Sequence, residues 1–327
     1  MHIKKWLLYS FISILILLTL NTLVMYWSDT YSVAHPQREE FYTEPNTKVL
    51  KVEYILANKK KYDSFIFGSS RVGNINPFNI KNGTYYNMTY SEGIPKEHLL
   101  NIKLFLNEGI TIKNLLIGLD DFSYQVSFNT HQTQGLTKLH PMASEISWLK
   151  FYKDYFFRFP TSEDRNHIKT KLKTSSDFSK INIKQDPKIY LDDLLHKNDM
   201  DYNTSKHLHK KEFDKPTYYS GNTLESTLED IKNIKQVCQS HQINCIFFIN
   251  PMHKTTYDFS NIPLLKKFKQ ELAKITDYYD FAYPHPINNN NFYWHETSHY
   301  RSIVGDIMIH DFEKKGGESF GIYHPKI

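Results

Sequence analysis

The pattern of hydrophobic and polar positions divides the chain into an apolar N-terminal segment and a longer region of mixed periodicity. The residues from Trp6 to Trp27 form one uncharged, mostly apolar run. Beyond it, short apolar runs alternate with segments whose apolar residues recur at helical spacing. We predict strands at Ser64–Phe67, Thr84–Met88, Leu115–Leu119, Ile246–Ile249 and Tyr278–Tyr283. We predict helices at Asn46–Tyr62, Lys96–Asn107, Asn222–Gln239, Leu264–Ile275 and Arg301–Lys314.

Alternation of strands with helices is typical of an α/β domain whose mainly parallel sheet carries helices on both faces. We therefore expect residues 46–327 to form a three-layer α/β/α sandwich around a central, mainly parallel five-stranded sheet. The polar stretch from Ser162 to Lys215 is too long for a simple connection in a compact domain. We predict that residues 123–216 form an insertion or cap over the core.

The N-terminal run has the length of a transmembrane helix, since about 1.5 Å per residue matches a hydrocarbon core of about 30 Å. Lys4 and Lys5 precede it, so the positive-inside rule keeps the N-terminus in the cytoplasm. We predict a single-pass anchor at 1–28, a linker at 29–45 and a domain on the extracytoplasmic, periplasmic side. A cleaved signal peptide is the rival interpretation, because Ser32-Val33-Ala34 resembles a cleavage site.

Composition excludes some function classes. The net charge of +5 is modest and basic residues form no long block, which argues against nucleic-acid binding. Cys238 and Cys245 are close enough in the predicted fold to form a disulfide, or they are two separate buried thiols. The His207-x-His209 pair has no supporting metal-ligand spacing, so we expect no metal and no cofactor.

Two short motifs carry chemistry. Ser70 follows the first predicted strand on a Gly68-Ser69-Ser70 turn, and Glu296 stands three residues before His299. A serine nucleophile needs a neighbouring base, and the base needs an orienting acid. Ligands of parallel sheets collect at the carboxyl ends of the strands, where Ser70, Asp120 and His253 fall. The pattern predicts a site for ester hydrolysis or acyl transfer.

These motifs resemble those of the SGNH/GDSL hydrolase superfamily, and more closely its membrane-anchored branch. That branch includes the D-alanyl-lipoteichoic-acid transfer protein and the alginate O-acetylation accessory proteins. The resemblance covers segments of the predicted α/β domain and leaves out its middle region. The segments are Asp63–Met88, Asn114–Phe122, Asn244–His253 and Asn291–Ile309.

The resemblance implies a role for each matching residue. Ser70 matches the nucleophile, and its backbone N–H would stabilise an oxyanion. His299 matches the base and Glu296 its orienting acid, with glutamate in place of the family's aspartate. Gly93 matches the glycine whose N–H joins the oxyanion hole. Neighbouring Arg71, His295 and His253 are candidate substrate contacts.

The third family block departs from its pattern. Gly118-Leu119-Asp120 has an acid where the family has an asparagine that donates to the oxyanion. An ionised aspartate would repel a developing negative charge. Asp120 is therefore protonated, or holds Arg71 or another group in place, or the site works without this donor.

Three functions fit the sequence. The first is an extracytoplasmic serine acyltransferase or esterase that modifies a cell-envelope glycan or polymer. From the resemblance, its partner would be a multi-span membrane-bound O-acyltransferase that delivers the acyl group. The second is a non-catalytic accessory or binding protein with the same fold. The third is a periplasmic lipase or esterase with a wide apolar pocket.

Overall fold

The chain folds as an α/β protein around one mixed sheet of six strands. The computed structural model describes residues 2–36, 44–173, 203–314 and 320–327. The strands are β1 (Ser64–Phe67), β2 (Tyr85–Asn87), β3 (Asn114–Leu119), β4 (Asn244–Ile249), β5 (Tyr278–Asp280) and β6 (Ile322–His324). Their order across the sheet is β2-β1-β3-β4-β5-β6. The first five run parallel, and β6 pairs antiparallel with β5.

Twelve α-helices lie within the described residues. They are α1 (His2–Ser28), α2 (Thr47–Ala57), α3 (Pro95–Asn107), α4 (Phe128–His131), α5 (Pro141–Ser144), α6 (Trp148–Phe156), α7 (Ser162–Leu172), α8 (Ser205–Leu208), α9 (Leu224–Ser240), α10 (Lys254–Phe259), α11 (Ile262–Ile275) and α12 (Ser302–Lys314). Short 3₁₀ turns add Ser70–Asn74, Pro77–Asn79, Lys211–Asp214 and Asn291–Tyr293.

The predicted α/β pattern is confirmed, with one strand more than expected. Each of the five predicted strands is present, with ends that shift by a few residues. The sixth strand, β6, lies at the sheet edge next to β5 and makes the sheet mixed. In the predicted insertion 123–216, the described parts contain short helices, and residues 174–202 lie outside the described residues. Residues 37–43 of the predicted linker also lie outside them.

Successive strand residues point to opposite faces, and each face is covered by its own apolar cluster. On one face, Phe65, Phe67 and Leu115 pack with residues of α2, α3, α9 and α11. On the other face, Ile66 and Leu116 pack with residues of α12. Full burial of a large apolar side chain stabilises the fold by about 1.5–3 kcal/mol. Burial on both faces fixes the strand ends that carry the site.

The N-terminal helix α1 has the length and composition to cross a membrane. The span Ile3–Ser28 has a mean hydropathy of 2.2, and none of its most apolar window is buried inside the protein. An apolar helix of this kind is either a membrane anchor or a signal sequence. Its last turn packs on α6 and α7, and Met25 is buried there. Side chains of Thr19 and Thr22 bond back to carbonyls of their own helix.

The two cysteines are free thiols. Cys238 on α9 is buried and Cys245 on β4 is half-buried. Burial raises the pKa of the Cys245 thiol well above its ordinary value, and the contact with Cys238 raises it further. A thiol with a raised pKa is a weak nucleophile, so Cys245 is a poor candidate for nucleophilic chemistry.

A buried histidine on α3 makes stability depend on pH. The Nδ1 atom of His98 lies 2.6 Å from the Tyr90 hydroxyl, and burial lowers the His98 pKa to about 3. The unfolded chain takes up a proton near pH 6.5 while the folded chain does not, so acid favours unfolding. Between pH 6.5 and pH 5 we expect His98 to cost about 1.5 kcal/mol of stability.

Urea unfolding of the detergent-solubilised chain at the two pH values measures this loss. The His98→Gln variant serves as the control, because it keeps a polar side chain at this position but does not titrate. Its loss of stability between pH 6.5 and pH 5 should be smaller by about 1.5 kcal/mol. Equal losses in the two proteins would contradict a neutral buried His98.

Candidate active site

The turn that carries Ser70 begins directly after β1. Ser69 caps the 3₁₀ turn Ser70–Asn74, its Oγ accepting a hydrogen bond from the Arg71 N–H at 3.2 Å. Gly68 must be small, because a Cβ there would lie 2.5 Å from Cγ1 of Val72. Ser69 is buried, whereas Ser70 is exposed. The local sequence therefore presents one hydroxyl to solvent at the carboxyl end of the sheet.

Two side chains from the neighbouring strand hold this turn in place. The Asn87 Nδ2 group donates to the carbonyl oxygens of Val72 at 2.7 Å and Ile75 at 3.0 Å. The Thr89 hydroxyl donates to the Ser69 carbonyl at 2.7 Å. These bonds satisfy buried carbonyls and fix the backbone on both sides of Ser70. Asn87 and Thr89 are positioning residues that sequence reasoning missed.

We expect the Asn87→Ala change to destabilise the protein. Asn87 is fully buried, and its loss removes the side-chain donor to the Val72 and Ile75 carbonyls, of which Val72 still accepts from the Ile75 N–H at 3.0 Å. The expected cost is about 2–4 kcal/mol in urea unfolding. Asn79→Ala is the matched control, since the Asn79 bond to Asp306 is exposed and its loss should cost about 0.5 kcal/mol or less. Similar costs for the two variants would contradict the positioning role of Asn87.

His299 lies in a closed loop between the 3₁₀ turn at Asn291–Tyr293 and α12. Trp294 and Tyr300 form an isolated antiparallel bridge, and the His295 N–H donates to the His299 carbonyl at 2.9 Å. Within this loop the Glu296 carboxylate accepts from the Ser298 N–H at 2.7 Å and from Nδ1 of His299. The spacing of three residues therefore brings the acid onto the imidazole ring.

The loop and the β1 turn meet although 229 positions separate them in the sequence. Oγ of Ser70 lies 2.7 Å from Nε2 of His299, and Nδ1 of His299 contacts Oε1 of Glu296. With Nδ1–H donating to the carboxylate, Nε2 is the nitrogen that accepts from Ser70. Burial would raise the pKa of Glu296, but the hydrogen bond and charge of His299 hold that pKa below its ordinary value. Glu296 is therefore ionised and able to stabilise a charged imidazolium.

Two backbone N–H groups beside Ser70 have no hydrogen-bond acceptor among the described residues. They belong to Ser70 itself and to Gly93. Gly93 packs so closely on the Ser70 turn that a Cβ at this position would lie 2.5 Å from the Gly68 carbonyl oxygen. The preceding Glu92 has a positive φ of 49°, which turns the backbone toward that carbonyl. Free N–H groups of this kind are what an oxyanion hole needs.

Asp120 does not face the hydroxyl of Ser70 as an isolated charge. Its Oδ1 accepts from the Arg71 guanidinium at 3.0 Å and from Nδ2 of Asn250 at 3.0 Å. Asp121 also accepts from Arg71, at 2.7 Å. Burial raises the pKa of Asp120, and the attraction of Arg71 offsets this only in part. Of the three alternatives for Asp120, the geometry matches the one in which it holds Arg71.

A series of buried, hydrogen-bonded side chains connects the turn that carries Ser70 with the loop that carries His299. The Tyr300 hydroxyl donates to Oδ1 of Asn250 at 3.1 Å, and Asn250 in turn donates to Asp120. Arg71 directly follows Ser70 in the sequence, and Tyr300 directly follows His299. These hydrogen bonds therefore connect the turn that carries Ser70 with the loop that carries His299. Asn250 and Tyr300 were not singled out from the sequence. The only available signal for Asn250 was its place at the carboxyl end of β4.

Of the other two histidines predicted as substrate contacts, His253 has structural partners. His253 is buried, with Nδ1 accepting from the Thr255 N–H at 3.2 Å and Nε2 lying 2.9 Å from Oδ1 of Asn291. Burial, together with the charge of the neighbouring His299, lowers the pKa of His295 to about 4. His295 is therefore neutral at pH 7. The geometry gives His253 the role of a helix cap and loop support.

The described end of the insertion packs on the base loop. The Thr297 hydroxyl donates to the Lys215 carbonyl at 2.5 Å, and Nε2 of His207 lies 3.1 Å from the Trp294 carbonyl oxygen. Tyr219 donates to the Glu92 carboxylate at 3.3 Å, close to Gly93. Residues 203–219 therefore contact both the loop that carries His299 and the backbone next to Gly93.

No group of three or more His, Cys, Asp or Glu side chains in the described part of the chain is arranged to hold a metal ion. No protein-family model matches the chain, and no curated protein matches it. The site described above consists of a hydroxyl, an imidazole and a carboxylate in hydrogen-bonded order.

Proposed function

We propose that this chain is a membrane-anchored serine acyltransferase or esterase that acts outside the cytoplasmic membrane on a cell-envelope glycan or polymer. The observation that carries the proposal is the hydrogen-bonded order Ser70–His299–Glu296, with 2.7 Å between Oγ and Nε2. A plain structural histidine would not need an exposed serine on one side and an ionised acid on the other.

The reaction begins when Oγ of Ser70 attacks the carbonyl carbon of an acyl donor. Its proton moves to Nε2 of His299, and Glu296 stabilises the resulting imidazolium. The carbonyl oxygen becomes an oxyanion that accepts from the N–H groups of Ser70 and Gly93. Collapse expels the donor's leaving group, which takes the proton from His299. An acceptor hydroxyl, or water, then loses its proton to His299 and attacks the acyl-enzyme. The bond between the acyl carbon and Oγ breaks, the acylated acceptor or free acid leaves, and Oγ of Ser70 takes the proton back from His299.

The fold supports membership of the SGNH/GDSL-like class, with a sandwich of three layers. Apolar clusters cover both faces of the sheet, and the first five strands are parallel. Ser70 follows β1, Asp120 follows β3, and Asn250 follows β4. This is the edge at which open α/β sheets bind ligands.

Transfer to a polymer fits the exposure of the nucleophile better than lipolysis does. Ser70 is open to solvent, so a bulky acceptor can reach the acyl-enzyme. A cavity of about 600 Å³ lies beside the sheet, but its lining includes Asn244 and Tyr278 at the amino ends of β4 and β5. Neither Ser70 nor His299 lines this cavity.

Retention of α1 as an anchor is supported by how its end packs. Met25 and Val33 form a buried apolar cluster with Val49 and Phe151. The Asp29 carboxylate accepts from the N–H groups of Val33 at 2.9 Å and Ala34 at 3.2 Å. The peptide that a signal peptidase would have to cleave is thus folded into the domain. Cleavage after Ala34 would also remove Met25 from its cluster.

The proposed partner is a multi-span membrane-bound O-acyltransferase. Within the described residues, one helix is long and apolar enough to cross a membrane. A single helix cannot enclose a path for an acyl group, because polar cargo needs several helices around it. In this proposal a second membrane protein delivers the activated acyl group to Ser70. This part of the proposal also depends on the resemblance described above.

Labelling with a fluorophosphonate tests the proposal on the full-length chain in detergent. We expect one covalent adduct, located by mass spectrometry at Ser70 within the tryptic peptide Tyr62–Arg71. The Ser298→Ala variant is the control, because Ser298 contacts Glu296 through its backbone N–H and should label normally. A wild-type chain that stays unlabelled would instead favour the non-catalytic accessory protein.

A further inference from the structure

Several large apolar side chains are exposed close together in the sequence within residues 148–172. Leu149 and Phe159 are each 82% exposed, Leu172 is 67% exposed and Phe157 is 55% exposed. Trp148 and Tyr152 on α6 are also exposed. Exposed apolar patches of this kind mark sites of contact with a membrane or another protein. We call the segment Trp148–Phe159 the aromatic segment.

The aromatic segment lies against the C-terminal part of α1. Helix α6 and helix α7 both pack on α1. The Tyr26 ring contacts the Phe156 ring with centroids 5.4 Å apart, and Nδ2 of Asn21 donates to the Arg158 carbonyl at 2.9 Å. The exposed apolar surface of α1 therefore continues onto the segment without a break.

The contact with Asn21 fixes how deep the segment lies. At about 1.5 Å per residue, Asn21 is about 9 Å along the helix axis from Trp27. Trp27 is an aromatic residue at the end of the apolar run, where membrane proteins place interfacial aromatics. Phe157 and Phe159 flank Arg158, so they lie at the level of Asn21. When Trp27 is at the interface, these phenylalanines reach the acyl chains.

The polar and charged groups around the aromatic segment are paired with each other, as a position close to the acyl chains requires. The bond between Asn21 and the Arg158 carbonyl satisfies the amide of the apolar run. The Arg158 guanidinium pairs with the buried Asp164 carboxylate, at 2.5 and 3.0 Å. Lys171 donates to the Trp27 carbonyl at 2.5 Å and lies 4.4 Å over the Trp27 ring. Charges near acyl chains are costly unless they are paired, so this pairing favours immersion.

We propose that the aromatic segment inserts into the outer half of the bilayer beside α1 and forms a second attachment to the membrane. The proposal depends on α1 being a retained anchor, which is part of the proposed function. Exposed Lys150 and Lys153 on α6, and Lys169 on α7, are placed to contact anionic lipid headgroups. With two attachments, the domain cannot swing freely about α1. Ser70 is then held at one height above the membrane.

Depth-dependent quenching in vesicles tests this attachment. The full-length Phe159→Cys chain carries the fluorophore NBD and is reconstituted in vesicles of phosphatidylcholine and phosphatidylglycerol. Phe259→Cys is the matched control, because Phe259 is a similarly exposed phenylalanine, on α10. Lipids with a nitroxide in the upper acyl chain should lower the emission at 159 about twofold and leave 259 unchanged. The wild-type chain, treated in the same way, gives the background from the two native cysteines.

The outcomes separate this proposal from the proposed function. Flotation of the vesicles reports the anchor, and the fluorophosphonate adduct at Ser70 reports the catalytic site. The chain could float with the vesicles and form the adduct at Ser70, while the fluorophore at 159 is quenched no more than the one at 259. In that case the proposed second attachment is wrong, and contact of the aromatic segment with a protein partner is favoured instead. If the chain does not float, the anchor and the attachment both fail. Quenching at 159 without an adduct at Ser70 supports the attachment and removes the catalytic proposal.

Discussion

Alanine at Ser70 or at His299 is expected to lower the rate of acylation, measured with an activated ester, about 10⁶-fold. Ser70 supplies the attacking oxygen, and His299 is the only group within hydrogen-bond distance of that oxygen among the described side-chain contacts. Residual activity would come from the two N–H groups and from substrate binding. Stopped-flow measurement of the phenol released from an activated aryl ester reports the acylation step.

The Glu296→Gln substitution should lower the rate of acylation less, by about 10⁴-fold. An amide in place of the carboxylate cannot stabilise the imidazolium, and its NH₂ group would favour the wrong tautomer of His299. Because the three residues act as one unit, the double variant of Ser70 and Glu296 should be no slower than the Ser70 variant alone. Additive losses, or a Glu296→Gln enzyme within tenfold of the wild type, would contradict the assigned order. Ser298→Ala serves as the neighbouring control.

The sequence predicted Ser70, Glu296 and His299 because their chemistry is local. A serine after an apolar strand and an acid three residues before a histidine are visible without a structure. What could not be predicted is the set of contacts that holds these residues. Asn87 and Asn250 act through hydrogen bonds to residues distant in the chain. An asparagine after a strand has many ordinary roles, so only the folded contacts identify these two.

Asp120 shows the limit of reasoning from a motif. From the sequence it appears as a repulsive charge in an oxyanion hole, which left three alternatives open. The folded chain places Arg71 between Asp120 and Asp121, and both carboxylates accept from the same guanidinium nitrogen. A residue next to the nucleophile is thereby locked to the strand end after β3. The aspartate at the position where the resembled motif has an asparagine is thus paired with Arg71.

The fold followed from periodicity wherever an element was long and buried. The five parallel strands lie between helices and have the apolar runs expected of strands buried on both faces. The edge strand Ile322–His324 has only three residues, and they are partly exposed. Such a strand has no hydrophobic pattern to detect, since its pairing with β5 alone defines it. Strands β2 and β5 also have three residues but are fully buried, so exposure and not length distinguishes β6 from them.

The second prediction with a large expected effect concerns a buried ion pair close to Gly93. Nζ of Lys48 lies 2.6 and 2.7 Å from the two carboxylate oxygens of Glu97, and both side chains are fully buried. Burial would raise the pKa of Glu97, but Lys48 and His131 together hold that pKa below its ordinary value. Glu97 also accepts from the Ile94 N–H at 3.2 Å, next to Gly93. The pair therefore supports both the core and the loop that carries a proposed oxyanion donor.

We expect Lys48→Met to destabilise the chain by about 3–5 kcal/mol, because it leaves a buried carboxylate without its main partner. The Lys48→Met/Glu97→Met double variant should recover much of this loss, since neither charge remains to be desolvated. Lys59→Met is the matched control. It breaks the partly exposed pair with Glu108, at 2.7 Å, and should cost about 1 kcal/mol or less.

Urea unfolding of the detergent-solubilised variants measures these costs, and fluorophosphonate labelling rates report the loop. If the pair positions Gly93, the double variant should regain stability and still label more slowly than the wild type, because the Ile94 N–H has lost its acceptor. If the double variant recovers both its stability and its labelling rate, the ion pair of Lys48 and Glu97 has a structural role only and does not position Gly93. Equal costs for Lys48→Met and Lys59→Met would show that Lys48 and Glu97 are not a desolvated pair.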